Sequence, residues 1–147
     1  MKIVKSISGL VLLLLLAQFI SSFTSTGNCD VDAMVDKCGS SLGDYTFIKT
    51  FGVDIKKSGE KPTEFSYVFS KGSNYRIVIC DQNIDGNRMI VNFYDRNKKL
   101  VASNYLKSSK KFFNLLNYTC SATGVYYVES TFEGGKEGSG VNILGFK

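Results

Sequence analysis

From Phe47 to Phe146 the chain is a series of short apolar-rich, strand-like runs separated by turn residues, two of which alternate apolar and polar residues cleanly. A period of two is that of a β-strand with one buried face, so the pattern commits most of the chain to sheet. In Glu64 to Ser70, Phe65, Tyr67 and Phe69 point one way while Ser66 and Ser70 point the other. In Met89 to Tyr94, Met89, Val91 and Phe93 oppose Asn92 and Tyr94. Further strands are expected over Phe47–Ile55, Tyr75–Cys80, Leu100–Ser103, Phe112–Cys120, Val125–Phe132 and Val141–Phe146. The connections are turn-like: a polar stretch ending in the only proline (Pro62), Lys71 to Asn74, Asp95 to Lys99, Ser121 to Gly124, and a loop with Gly134, Gly135, Gly138 and Gly140. Seven or eight short strands at such spacing predict a mainly β fold, an antiparallel β-sandwich or jelly roll.

The N-terminus obeys a different rule. Lys2 and Lys5 precede an apolar run from Ile7 to Ile20 with five consecutive leucines, Leu12 to Leu16, and a small polar tail follows. That order is the one of a secretory signal peptide, assigned to residues 1–25. The run is short for a membrane span, which takes about 20 apolar residues. Cys29 follows Thr26-Gly27-Asn28 and stands in no lipobox-like context, which argues against lipidation. The expectation is a secreted or periplasmic protein with a single domain over 26–147 and no membrane span once the leader is removed.

Of 18 basic residues, 2 leave with the leader, so 16 face 13 acidic ones and the net charge falls from +5 to +3. The lysines come as loop pairs (Lys56-Lys57, Lys98-Lys99, Lys110-Lys111) rather than as the dense stripe of a nucleic-acid protein, so no nucleic-acid partner is expected. There is no histidine and no tryptophan. The first absence removes the usual general base, the Ser-His and Cys-His pairs and the common zinc ligand. The second removes the commonest sugar-stacking ring.

Four cysteines, Cys29, Cys38, Cys80 and Cys120, read as two disulfides in an exported chain. Asp30 to Leu42 reads as a short N-terminal helix with Val31, Met34, Val35 and Cys38 on one face. Along such a helix Cys29 and Cys38 lie about 13 Å apart at 1.5 Å per residue, beyond the reach of one bridge. Both are therefore expected to cross to the strands that carry Cys80 and Cys120, pinning the helix to the sheet. The alternative, Cys29–Cys38 with Cys80–Cys120, holds if the helix starts late.

Three segments carry a family resemblance. They are Lys71-Gly72-Ser73-Asn74-Tyr75-Arg76-Ile77, the stretch Val91 to Ser103 with its Tyr94-Asp95 and Leu100-Val101-Ala102-Ser103, and Ala122-Thr123-Gly124-Val125-Tyr126-Tyr127-Val128. In this order they resemble the bacterial pre-peptidase C-terminal (PPC) domain over about Glu64 to Lys147, here standing alone without a peptidase. Met89-Ile90-Val91-Asn92 replaces the family's Asp-Leu-Asp-Leu-like run, so no metal role is carried over. The resemblance implies a non-catalytic module of the envelope or extracellular space.

One loop matches ligand chemistry. Asp81, Asn83, Asp85 and Asn87 alternate as in the first half of a calcium loop, with Gly86 at the turn. Calcium is thus the one candidate cofactor. Asn92 stands where the twelfth-position Glu is due, and Asp85-Gly86 is equally a favoured hairpin pair. Glu129, Glu133 and Glu137 are a weak carboxylate set for glycoside hydrolysis. Asn117-Tyr118-Thr119 is a glycosylation sequon within an expected strand, and Tyr105 is a loop aromatic open to a ligand. No enzymatic activity is expected. The expected role is a secreted binding or structural module for an envelope or extracellular glycan or protein. The alternatives are a carbohydrate-binding module, a calcium-stabilised adhesion module and a secreted protease inhibitor.

Overall fold

The computed structural model describes residues 30–82 and 86–147. Asp30 caps the first helix, its carboxylate accepting the Ala33 N–H at 3.1 Å, and α1 runs Val31–Cys38. The expected helix to Leu42 stops four residues short, because Gly39, Ser40 and Ser41 hold a helix poorly and the chain tightens into a 3₁₀ turn, Gly39–Leu42. Ten strands follow: β1 (Thr46–Ile55), β2 (Thr63–Phe69), β3 (Asn74–Asp81), β4 (Met89–Tyr94), β5 (Leu100–Ser103), β6 (Tyr105–Leu106), β7 (Lys111–Phe112), β8 (Leu115–Thr119), β9 (Gly124–Phe132) and β10 (Gly138–Phe146).

Eight of them form two antiparallel sheets, A in the order β1-β10-β3-β8 and B in the order β2-β9-β4-β5. The pairs β1–β10, β2–β9, β3–β8 and β4–β5 are nested, as when a ribbon is folded back on itself and rolled up. This is the expected β-sandwich. Between the sheets lie Phe69, Tyr75, Ile77, Met89, Val91, Phe93, Tyr126, Val128, Phe132 and Leu144. Every inward residue read from the alternation of β2 and β4 faces this layer.

A second apolar layer sits outside sheet A. Met34 and Leu42 cover Val78, Cys80, Val141 and Ile143, with Val31, Val35 and Cys38 alongside. This explains the unbroken apolar run Ile77–Cys80 of β3 and the burial of Val141 to Leu144 in β10, since both strands are covered on both faces. Gly145 lies under the 3₁₀ turn, where a Cβ would fall 2.7 Å from Leu42 and 3.0 Å from the Thr46 carbonyl. Gly138, expected in a loop, opens β10 opposite Ile55, where a Cβ would fall 2.5 Å from the Phe132 ring.

Two expectations need correction. Phe112–Cys120 is not one strand: β7 pairs with β6 as a separate small hairpin, and β8 begins only after Asn114. The buried Asn104 forces the break. Its amide donates to the carbonyls of Met89 and Phe113, and its Oδ1 accepts the Val91 N–H at 2.7 Å, so it replaces ladder bonds with side-chain bonds.

The second concerns the cysteines. Cys38 bridges to Cys80 across 6.2 Å between Cα atoms, as expected for one link and contrary to the local alternative. Cys120 carries a free, buried thiol. It follows β8 on the inward side of sheet A, whereas α1 lies on the outward side, so the sheet stands between them. The expected partner, Cys29, lies outside the described residues.

Candidate functional site

The sandwich has two unlike outer faces. Sheet A is covered by α1, which the Cys38–Cys80 bridge holds in place. Sheet B has no such cover among the described residues, and strand register sets out what it presents. Val68 pairs with Val125. In the next row Ser66, Tyr127, Tyr94 and Leu100 lie side by side across all four strands. Beyond it run Glu64, Glu129, Asn92 and Ser103. Val68 is 57% exposed, Leu100 52% and Val125 39%, three apolar side chains on the outer face of one sheet.

The polar row has its own electrostatics. Glu64 and Glu129 are direct cross-strand neighbours, an arrangement that like charges disfavour. Lys98 relieves it, placing its ammonium 2.7 Å from Glu64 and 3.4 Å above the Tyr127 ring centre. Lys98 does so from a left-handed backbone (φ 59°) in the β4–β5 turn, a conformation unusual for a non-glycine residue. That turn is braced by Asp95, whose Oδ1 accepts the N–H groups of Asn97 and Lys99 at 2.8 and 2.9 Å. The Tyr94 hydroxyl donates to Glu129 at 3.5 Å, and burial, with the Glu129 charge next, raises its pKa.

At the end of the sandwich, between the β4–β5 and β8–β9 turns, a cleft of about 490 Å³ opens. Tyr118, Ser121 and Tyr126 supply hydroxyls, Leu100, Val101 and Ala122 apolar walls, and Asp95, Arg96, Asn97 and Lys99 the polar rim. The Tyr126 hydroxyl donates to the Ala122 carbonyl at 2.9 Å and lies 3.3 Å from the Tyr118 hydroxyl. Burial, then its bonds with Tyr118 and Cys120, raises the Tyr126 pKa.

The candidates read from the sequence fall elsewhere. Asp81 ends β3, where its Oδ2 accepts the Met89 N–H at 2.9 Å and the Arg88 guanidinium at 3.2 Å. Asn87 is half-buried in the same connection, and Asn83 and Asp85 lie outside the described residues. Among the described residues no three acidic or cysteine side chains converge as a metal site. Glu133 is in a 3₁₀ turn and Glu137 is exposed, so neither joins Glu129 in the row across sheet B. Asn117 is exposed on β8 and accepts from Arg76, and Tyr105 stacks on Phe112 in the small hairpin. Both the open face and the end cleft escaped the sequence reading. The alternation of β2 and β4 placed Ser66 and Tyr94 outward, but it said nothing of Val68 or Tyr127, nor that sheet B would stay uncovered.

No family model matches the chain, and no curated protein matches it. Nine solved chains match in structure. Among them is PliG of Aeromonas hydrophila, a periplasmic lysozyme inhibitor of g-type lysozyme. It aligns over 71% of this chain and 89% of its own, with a TM-score of 0.50 and 9% identity. At that identity the likeness is one of fold. Among the described residues no helix is long and apolar enough to cross a membrane, and the Cys38–Cys80 disulfide is consistent with a secreted or periplasmic location.

Proposed function

We propose that the chain is a secreted, non-catalytic binding module whose partner is a protein held on the open face of sheet B. The observation that carries this reading is the contrast between the outer faces: α1 packs over the central strands β3 and β10 of sheet A, while sheet B, uncovered among the described residues, carries a stripe of exposed Val68, Val125 and Leu100 with half-buried Tyr127 and Tyr94 beside a polar row. An apolar and tyrosine-bearing centre with a charged border is the anatomy of a protein interface. A depression of about 430 Å³ at Ser66, Tyr67, Val68 and Val125 offers a seat for a partner side chain. The likeness in fold to PliG makes g-type lysozyme the first partner to try. The resemblance to the PPC domain belongs to the same proposal; its three segments lie at the start of β3, along β4–β5 and on β9.

The test uses the leader-free, oxidised protein with g-type lysozyme. Co-elution on gel filtration and slowed cell-wall lysis are expected, both weakened at least about tenfold by Val68→Asp/Val125→Asp, a loss of about 1.4 kcal/mol or more. Absence of both complex and inhibition removes lysozyme as the partner. A complex indifferent to the double substitution removes the open face as its site.

A second reading, carbohydrate binding, is favoured by the same row. Tyr94 and Tyr127 are cross-strand neighbours beside Glu64, Glu129, Asn92 and Ser103, groups suited to sugar hydroxyls. Retention of the protein on insoluble glycans, lost in Tyr127→Ala, is the expected result under that reading.

A further inference from the structure

We infer that the end cleft is a separate site for a carboxylate-bearing sugar residue, a uronic acid. Three properties of the cleft lead there. The first is charge. Arg96 and Lys99 line it and, among the described residues, neither forms an ion pair, whereas Lys98 between them turns away to Glu64. The one carboxylate of the lining, Asp95, spends an oxygen on the N–H groups of Asn97 and Lys99. Two cations therefore face one acid already engaged in holding the turn, which suits an anionic ligand. Arginine adds a planar fork that matches a carboxylate.

The second property is the hydroxyl cluster. Tyr118 lies 3.4 Å from Ser121 Oγ and 3.3 Å from the Tyr126 hydroxyl. The Tyr126 O–H is committed to Ala122, so the looser Tyr118 and Ser121 groups are the ones free to reorganise around a ligand. A bare inorganic anion has no use for such groups, and a sugar has several hydroxyls to offer them. The third is shape. Leu100, Val101 and Ala122 give apolar walls for the C–H edge of a ring, and about 490 Å³ is within the usual span of small-molecule sites. Gly124 seats the arginine: a Cβ there would lie 3.4 Å from Arg96 Cδ, so the stem of the side chain rests against the start of β9.

The cleft adjoins the open face and shares Leu100 with it, but its test turns on Arg96 and Lys99, which are not part of the open-face stripe, so the fate of one reading does not decide the other. The test is a titration of the leader-free, isotope-labelled protein followed by amide NMR, with galacturonate, trigalacturonate, galactose and acetate as probes. Galacturonate is expected to move the amides of residues 95–101 and 118–126, with galactose binding at least about tenfold more weakly because it lacks the charged hydrogen bond, and acetate at least about tenfold more weakly because it lacks the ring's hydroxyl and apolar contacts. Arg96→Ala and Lys99→Ala, both on exposed side chains, are each expected to cost about tenfold with the spectrum otherwise preserved. Trigalacturonate binding more tightly than the monosaccharide identifies a polymer as the source, and equal binding a free or terminal residue. Acetate matching galacturonate reduces the cleft to a general anion site and overturns the proposal. So do galactose matching galacturonate, shifts confined to other residues, or binding unaffected by both substitutions.

Discussion

Asn104 shows how much a single buried polar side chain decides. Its amide satisfies three backbone groups where β4 loses β5 as partner and the chain leaves for the β6–β7 hairpin. Asn104→Leu would strand the Val91 N–H and the Met89 and Phe113 carbonyls, so a loss of about 2–4 kcal/mol in chemical denaturation is expected, more than one ordinary hydrogen bond. Asn142 poses the opposite problem. It donates to Ser130 Oγ at 2.8 Å between the sheets, yet its Oδ1 has no partner among the described residues. Ser130→Ala with Asn142→Leu is expected to leave stability within about 1 kcal/mol of the parent, since removing both partners spares the burial penalty. Tyr94 and Tyr126 bring pH dependence. Burial raises both phenols, so the folded state favours the neutral form. Their contribution is whole below pH about 10, the unfolded value, and is lost as pH rises toward the folded values. Melting midpoints measured from pH 9 to 12 should fall, and fall less steeply in Tyr126→Phe.

At the level of elements, α1 is a lid on sheet A with one covalent tie. Reducing Cys38–Cys80, or Cys38→Ser/Cys80→Ser, opens a loop with a separation of 42 residues. A loss of about 2–4 kcal/mol is expected in denaturant titrations with and without reductant. Gly145→Ala should cost about 1–3 kcal/mol by pushing Leu42 and the Thr46 backbone away, and reduction should then add less than it does in the parent, because the lid is already lifted. The β3–β4 connection is held at its base by Asp81, with Arg88 and the Met89 N–H on the same oxygen. Asp81→Ala is accordingly expected to lower the midpoint equally in calcium and in chelator. A stabilisation by calcium that Asp85→Ala abolishes would instead make the loop a metal site.

For the molecule as a whole, nested strand pairing leaves two kinds of outer surface on one small sandwich. One packs a helix over its central strands, and the other is uncovered among the described residues. The exposed valines of the latter contribute nothing to the core, so Val68→Asp/Val125→Asp should leave the melting midpoint within a few degrees while removing binding. A fall as large as that of a core substitution would mean the face is structural.

How much of this was legible along the chain follows from the range of the forces involved. Side-chain alternation is local, so β2, β4, β5 and β9 were readable nearly to the residue, as was the apolar face of α1, and the sandwich followed from their number and spacing. The fate of the long apolar stretches was not local. Ile77 to Cys80 and Val141 to Leu144 are buried twice because α1 returns over sheet A, and β8 starts late because Asn104 reaches across from another connection. The same holds for the candidate sites. The residue types of the open face and the cleft are plain in the sequence, but Glu64, Glu129, Asn92 and Ser103 become one row only through pairing between distant strands. Arg96 meets Tyr118 and Tyr126 only where two turns converge. Local periodicity determined which residues face inward; the packing of distant segments decided which outward surfaces remain open, since covering a face depends on where the rest of the chain returns.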